Sequence, residues 1–194
     1  MKKQLVLYIL LIVTLFSACS VNRNPMETDV DRSMSANIIM NASYGQIRFF
    51  NGKYQYVVYG KNKEIVEQGE STRLPDITFV NDSLLKFSLQ TGTGLSTQWG
   101  FYYDFEKGEK SAIFTCIYDN FKENVVYGDY DKIIIRNIFD VNEYYYEIPL
   151  SLLPLSDMVE PIININFVDE GKRIKVLYYS GKDFSEETKE FILP

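Results

Sequence analysis

Two kinds of hydrophobic patterning divide the chain. Residues 5–16 form a nearly unbroken apolar run. From Ile38 onward, apolar and polar positions alternate with a period of two. Tyr54, Tyr56 and Val58 alternate with Gln55, Val57 and Tyr59, and Leu85, Phe87 and Leu89 with Lys86, Ser88 and Gln90. Trp99, Phe101, Tyr103 and Phe105 share one parity. Ile133 and Ile135, then Ile174, Val176 and Tyr178, repeat the theme. Successive side chains of a strand point to opposite faces, so this alternation of aromatic and β-branched residues predicts half-buried strands.

Turn-forming dipeptides punctuate the strands at Asn51-Gly52, Gly60-Lys-Asn62, Thr91-Gly-Thr-Gly94, Lys107-Gly108, Gly128-Asp129, Glu170-Gly171 and Ser180-Gly181. Their spacing predicts short hairpins and antiparallel pairing. No long window beyond the leading apolar run has a helical period. One short helical turn is expected near Ser156–Val159, between Pro154 and Pro161.

A faint internal repeat supports this organisation. The stretch from Ile77 (Ile-Thr-Phe-Val-Asn-Asp-Ser-Leu-Leu-Lys-Phe) resembles the stretch from Ile165 (Ile-Asn-Phe-Val-Asp-Glu-Gly-Lys-Arg-Ile-Lys). Weaker copies begin at Ile47 and Val126. Repeats of this length suit the blades of a β-propeller. The fold expectation is therefore all-β and antiparallel. It is built of hairpins and meanders, either propeller-like with about four small blades or a β-sandwich or barrel.

The leading segment sets the location. Lys2 and Lys3 precede the apolar core, and the small residues Ser17 and Ala18 follow it, as in a secretory signal peptide. The run holds about 14 residues before Cys19, short of the roughly 20 needed to cross a bilayer. Phe16-Ser17-Ala18-Cys19 resembles the lipobox of bacterial lipoproteins. It departs at Phe16, where Leu is usual in that family. The resemblance covers the signal segment alone and implies cleavage before Cys19. It also implies a diacylglyceryl group on the Cys19 thiol, with further acylation of palmitate type. The mature chain is then a lipid-anchored domain on the non-cytoplasmic side of the cell membrane or outer membrane. Several acyl chains on one residue hold such a domain durably, since each buried CH₂ contributes about 0.8 kcal/mol. The expected organisation is signal peptide 1–18, lipidated Cys19 with a polar tether to residue 37, and one all-β domain over 38–194.

Charge narrows the partners. Removing residues 1–18 takes Lys+Arg from 20 to 18 against 26 acids, a mature charge of −8. An acidic domain repels phosphate backbones, so nucleic acid is not an expected partner. The chain contains no histidine, which excludes Ser-His-Asp and Cys-His catalysis and imidazole metal ligation. Cys116, among apolar neighbours, reads as a buried inert thiol. Neither cofactor nor metal is expected.

Several short motifs dissolve on inspection. Ser83-Leu-Leu-Lys86 has the Ser-x-x-Lys spacing of penicillin-recognising enzymes, but it enters an alternating strand and lacks the companion motifs. The Gly-rich Thr91–Ser96 stretch lacks the remaining residues of a nucleotide loop. Asp129-Tyr-Asp131 begins like a calcium loop but runs into Ile134 and Ile135, so a turn is expected. The carboxylates Asp104, Glu106, Glu143 and Glu147 form no distinctive pair. Aromatic residues are the richer signal. Trp99, Tyr102, Tyr144 and Tyr146 are candidate binding residues, weighed against packing in the core. The expected role is non-catalytic binding of an envelope protein or peptide. The alternative is a carboxylate-dependent hydrolase, or a binder, of envelope glycans.

Overall fold

The computed structural model describes residues 37–94 and 97–194. Among them are sixteen strands and one short 3-10 turn. The strands form four antiparallel sheets that follow one another along the chain. Sheet one comprises β1 (Asn37–Ala42), β2 (Gly45–Phe50), β3 (Lys53–Tyr59) and β4 (Ile65–Ser71). Sheet two comprises β5 (Asp76–Phe79), β6 (Leu84–Gln90), β7 (Gln98–Asp104) and β8 (Glu109–Lys110), with β9 (Phe114–Thr115) also paired to β7. Sheet three comprises β10 (Ile117–Phe121), β11 (Asn124–Asp129), β12 (Lys132–Asn137) and β13 (Tyr145–Pro149). The 3-10 turn Leu150–Leu152 leads to sheet four: β14 (Ile162–Val168), β15 (Arg173–Ser180) and β16 (Ser185–Ile192). None of the sheets closes into a barrel.

The hairpins arise where the chain can take left-handed backbone cheaply. Asn51 and Gly52 adopt φ of 51° and 76° between β2 and β3, the two-residue turn that matches strand twist. Between β14 and β15 a four-residue loop, 169–172, turns the chain with Asp169, Glu170 and Gly171 all at positive φ. Gly128-Asp129 behaves differently from expectation. Both residues lie within β11, and the turn falls one step later at Tyr130-Asp131. Gly128 is consumed by pairing with Ile133 and by donating its N–H to the Cys116 carbonyl at 3.0 Å. The helical turn expected at Ser156–Val159 is likewise displaced, to Leu150–Leu152. Ser156 instead donates its N–H to the Tyr179 carbonyl at 2.9 Å, tying the connection to β15.

Three apolar clusters join the sheets in chain order. Ile47, Tyr56 and Val58 of sheet one meet Ile77, Leu85, Phe87, Phe101 and Tyr103 of sheet two. Phe87 is the hub: its ring lies 5.1 Å from both Tyr56 and Phe101 and 5.3 Å from Trp99. Leu84, Tyr102 and Phe114 of sheet two meet Ile117 and Val125 of sheet three. Val126, Ile133, Ile135 and Ile148 of sheet three meet Ile165, Ile174, Val176 and Tyr178 of sheet four. No fourth cluster joins sheets four and one among the described residues. Sheet two is thus covered on both faces. Lys86 and Ser88, the polar partners in the β6 alternation, lie on the face turned to sheet three, where Lys86 is half-buried and Ser88 buried. Gly100 is required here, because a Cβ at that position would fall 2.3 Å from the Phe87 carbonyl oxygen.

Sheets one and four keep a polar outer face. Arg48, Gln55 and Glu70 stand in register across β2, β3 and β4, and Asn166, Lys175 and Glu190 across β14, β15 and β16. Gln55 donates to Glu70 at 2.9 Å, and Arg173 pairs with Glu190 at 2.7 Å. Terminal units of a stacked array stay soluble in this way, by facing water with side chains that satisfy one another.

The internal repeat coincides with structure at two of its four places. Ile77 and Phe79 pair with Phe87 and Leu85, just as Ile165 and Phe167 pair with Val176 and Ile174. These are the first two strands of sheets two and four. The weaker copies at Ile47 and Val126 fall on the second and third strands of sheets one and three, one strand out of phase.

Candidate functional site

A cleft of about 400 Å³ opens between sheets three and four. Its first wall begins at Cys116, which adopts φ of 52° just before β10. The Cys116 N–H donates to the Gln98 carbonyl at 2.9 Å, and its own carbonyl accepts from Gly128, so the residue is clamped between β7 and β11. The β10–β11 register shifts between Ile117 and Asp119. That bulge re-aims Tyr118, which packs on the cluster shared by sheets three and four and lines the cleft.

The second wall is the β11–β12 hairpin, with Asp129 and Lys132 paired at its base and Tyr130 at its tip. Leu150 donates its N–H to Asp131 at 2.8 Å, which docks the 3-10 turn against this hairpin and puts Leu150 in the lining. The connection 154–161 supplies Val159, Glu160 and Pro161, and Ile162 opens β14. Tyr179 donates to the Pro161 carbonyl at 2.8 Å, which fixes the end of that connection. Tyr130 and Val159 are both fully exposed at the rim.

The chemistry of the lining favours binding. Burial pushes the Cys116 thiol up, and the nearby Glu160 carboxylate adds to the effect against the Tyr118 hydrogen bond. A thiol held protonated is a poor nucleophile. Tyr118 is raised far above the ordinary phenol range, first by burial and then by its hydrogen bond with Cys116. Both groups are therefore neutral at physiological pH. Lys132 is raised by its 2.6 Å contact with Glu147, so its ammonium is already engaged. Asp129 and Glu160 also contribute to the lining.

A second cleft, of about 380 Å³, lies beside Lys107, Glu123, Asn137 and Glu143. Its polar groups satisfy one another: Lys107 pairs with Glu123 at 3.2 Å, and Asn137 donates to Glu143 at 2.7 Å. Among the described residues, no group of three or more acidic or cysteine side chains is arranged to hold a metal.

The candidate aromatic residues are distributed mainly to cores. Tyr102 is completely buried between sheets two and three, with its hydroxyl 3.4 Å from Asn120 Oδ1, and presents no surface to a partner. Of the two readings weighed for Tyr102, core packing is the one that holds, because the face of β7 opposite Phe101 is covered by sheet three. Trp99 is half-buried against Phe87. Tyr144 and Tyr146 are half-buried against the cluster of sheets three and four. None of these four residues lines the cleft. The carboxylates are occupied as well. Asp104 accepts the N–H groups of Glu106 and Lys107 at 2.8 and 3.0 Å, capping the β7–β8 turn. Glu147 accepts from both Lys132 and the Tyr145 hydroxyl. Cys19, with the whole signal and tether, lies outside the described residues.

Tyr118, Tyr130, Val159 and Glu160 were not singled out by sequence reasoning. For Tyr130 a signal existed: a large aromatic between two aspartates at a turn, where Asn or Gly is the usual choice. Val159 and Glu160 sit in a connection whose exposure depends on how two distant sheets meet.

Comparison with protein-family models found no match, and none of the curated proteins searched is similar to the chain.

Proposed function

We propose that the chain is a lipid-anchored envelope protein with a non-catalytic binding role. It is held by diacylglyceryl on Cys19 at the cell membrane or outer membrane, and it engages a partner through the cleft between sheets three and four. The supporting observation is the rim: Tyr130 and Val159 lie fully in solvent beside a lining of Tyr118, Leu150, Pro161 and Ile162. Exposed apolar side chains gathered at a concave site mark a contact surface. The neutral thiol and phenol supply no nucleophile, which favours binding over turnover. A glycan hydrolase has less support, since Asp104, Glu143 and Glu147 are each engaged in local structure. Tethering raises effective concentration near other envelope components, so weak contacts suffice.

The test is a crosslinking pull-down of the protein from its own membranes, with Cys19→Ala and Tyr130→Ala as comparisons. The expected result is one enriched envelope component, lost in Cys19→Ala and reduced in Tyr130→Ala. Equal recovery with all three proteins, or none with any, contradicts the proposal.

A further inference from the structure

Resting on that reading of the cleft, we propose that its ligand is an uncharged glycan of the envelope. A pyranose ring stacks on the exposed ring of Tyr130, its hydroxyls meet Asp129, Lys132 and Thr115, and its C–H face lies over Leu150, Val159 and Ile162.

The lining sorts ligands by their chemistry. Its volume of about 400 Å³ falls at the lower end of small-ligand sites, so it takes a short stretch of glycan and not a folded surface. Among its charged groups, Glu160 is already engaged, and its carboxylate lies against Gly94, where a Cβ would fall 2.1 Å from Oε1. Lys132 is held by Glu147 at 2.6 Å, which occupies one of its three N–H donors. Asp129 makes no ion pair and no side-chain hydrogen bond among the described residues. A cation therefore finds one free carboxylate, with no second to share it. An anion meets that same carboxylate, beside an ammonium already neutralised. A wholly apolar ligand would strip water from Asp129 and Lys132 and return no hydrogen bond. A sugar leaves none of these groups unmatched. Its hydroxyls donate to Asp129, accept from the spare donors of Lys132, and exchange either way with the hydroxyl of Thr115, an exposed residue of the lining. The C–H groups of the same ring cover the apolar side chains.

Tyr130 adds an independent argument. Its ring is fully exposed at a hairpin tip, where φ of 46° strains a bulky residue in a conformation that Gly or Asn takes easily. An aromatic face is electron-rich, and the weakly positive C–H hydrogens of a pyranose are drawn to it. That contact needs a flat, open ring and neither a charge nor the phenol hydroxyl.

The test presents the full-length lipidated protein, in phosphatidylcholine nanodiscs, to an array of neutral hexose and N-acetylhexosamine oligosaccharides. Uronate-bearing oligosaccharides and a Lys/Leu amphipathic peptide stand beside them. Neutral glycans are expected to be bound. The best of them should titrate saturably, with an affinity that stays within about twofold as salt rises, since the ligand has no charge to screen. Tyr130→Ala and Asp129→Ala should each weaken it about tenfold, the scale of one ring contact or one charge-assisted hydrogen bond. Tyr130→Phe, which restores the ring without the hydroxyl, should recover most of what Tyr130→Ala loses. Arg48→Gln, on the outer face of sheet one, should leave affinity unchanged. Binding confined to the uronates or to the peptide, affinity that collapses with salt, undiminished binding in both alanine variants, or no binding at all overturns the glycan assignment. If the array stays empty while the membrane pull-down still enriches a component in a Tyr130-dependent way, the glycan assignment falls and the binding role stands.

Discussion

Tyr130 and Phe87 show how differently single residues serve this protein. Tyr130 is strained and touches nothing that repays the strain. Tyr130→Gly should therefore stabilise the fold by about 1 kcal/mol while weakening capture of the partner proposed for the cleft. A thermal melt checks the first part, with an expected rise of about 2–4 °C for a domain of this size. An unchanged or lower melting temperature would remove the strain argument. Phe87 is the opposite case, buried and in ring contact with Tyr56, Trp99 and Phe101. Phe87→Ala should cost about 3–5 kcal/mol in denaturant unfolding, the usual range for removing a core aromatic ring. A loss below about 1 kcal/mol would contradict the role of the cluster between sheets one and two as a support of the fold. Sequence parity identified Phe87 and Phe101 as core-facing. It could not foresee Tyr102, on the opposite parity and equally buried, because a strand does not reveal whether its second face meets solvent or another sheet.

At the scale of elements, most strands were legible and most turns were too. Asn51-Gly52 and Glu170-Gly171 mark real hairpins because their left-handed backbone is a local property. Gly128 misleads because it is spent on close approach, with Cys116 Sγ only 3.3 Å from where its Cβ would stand. The Tyr103–Glu64 hydrogen bond, 2.7 Å long, links the β3–β4 turn of sheet one to β7 of sheet two, and it yields a pH prediction. This bond, first among several, holds the Glu64 carboxyl below its ordinary range. A carboxyl lowered in the folded state stabilises it fully above the unfolded pKa of about 4.3 and loses that contribution as pH falls through the lower folded value. Glu70 and Glu147 are lowered in the same sense by Gln55 and Lys132 respectively. The domain should therefore lose stability on acidification from about pH 5 downward, and Glu64→Gln should flatten part of that slope. Parallel melting curves of the two proteins across that range would show that the link carries no pH-dependent stability.

Across the whole molecule, the four sheets succeed one another in chain order and pack through three clusters, with polar faces at both ends of the series. The class of this fold was readable from period-two patterning and from the repeat between Ile77 and Ile165. The candidate site was not readable, because it is assembled from a bulge, a hairpin tip and a proline-bounded connection that approach only when sheets three and four pack. The most direct measurement places a photo-crosslinking amino acid at position 130, and separately at position 182 on the β15–β16 hairpin, in the lipidated protein in native membranes. Position 130 should give a discrete adduct and position 182 none. Equal adducts at both positions, or adducts at 182 alone, would contradict the assignment of the cleft between sheets three and four as the binding site.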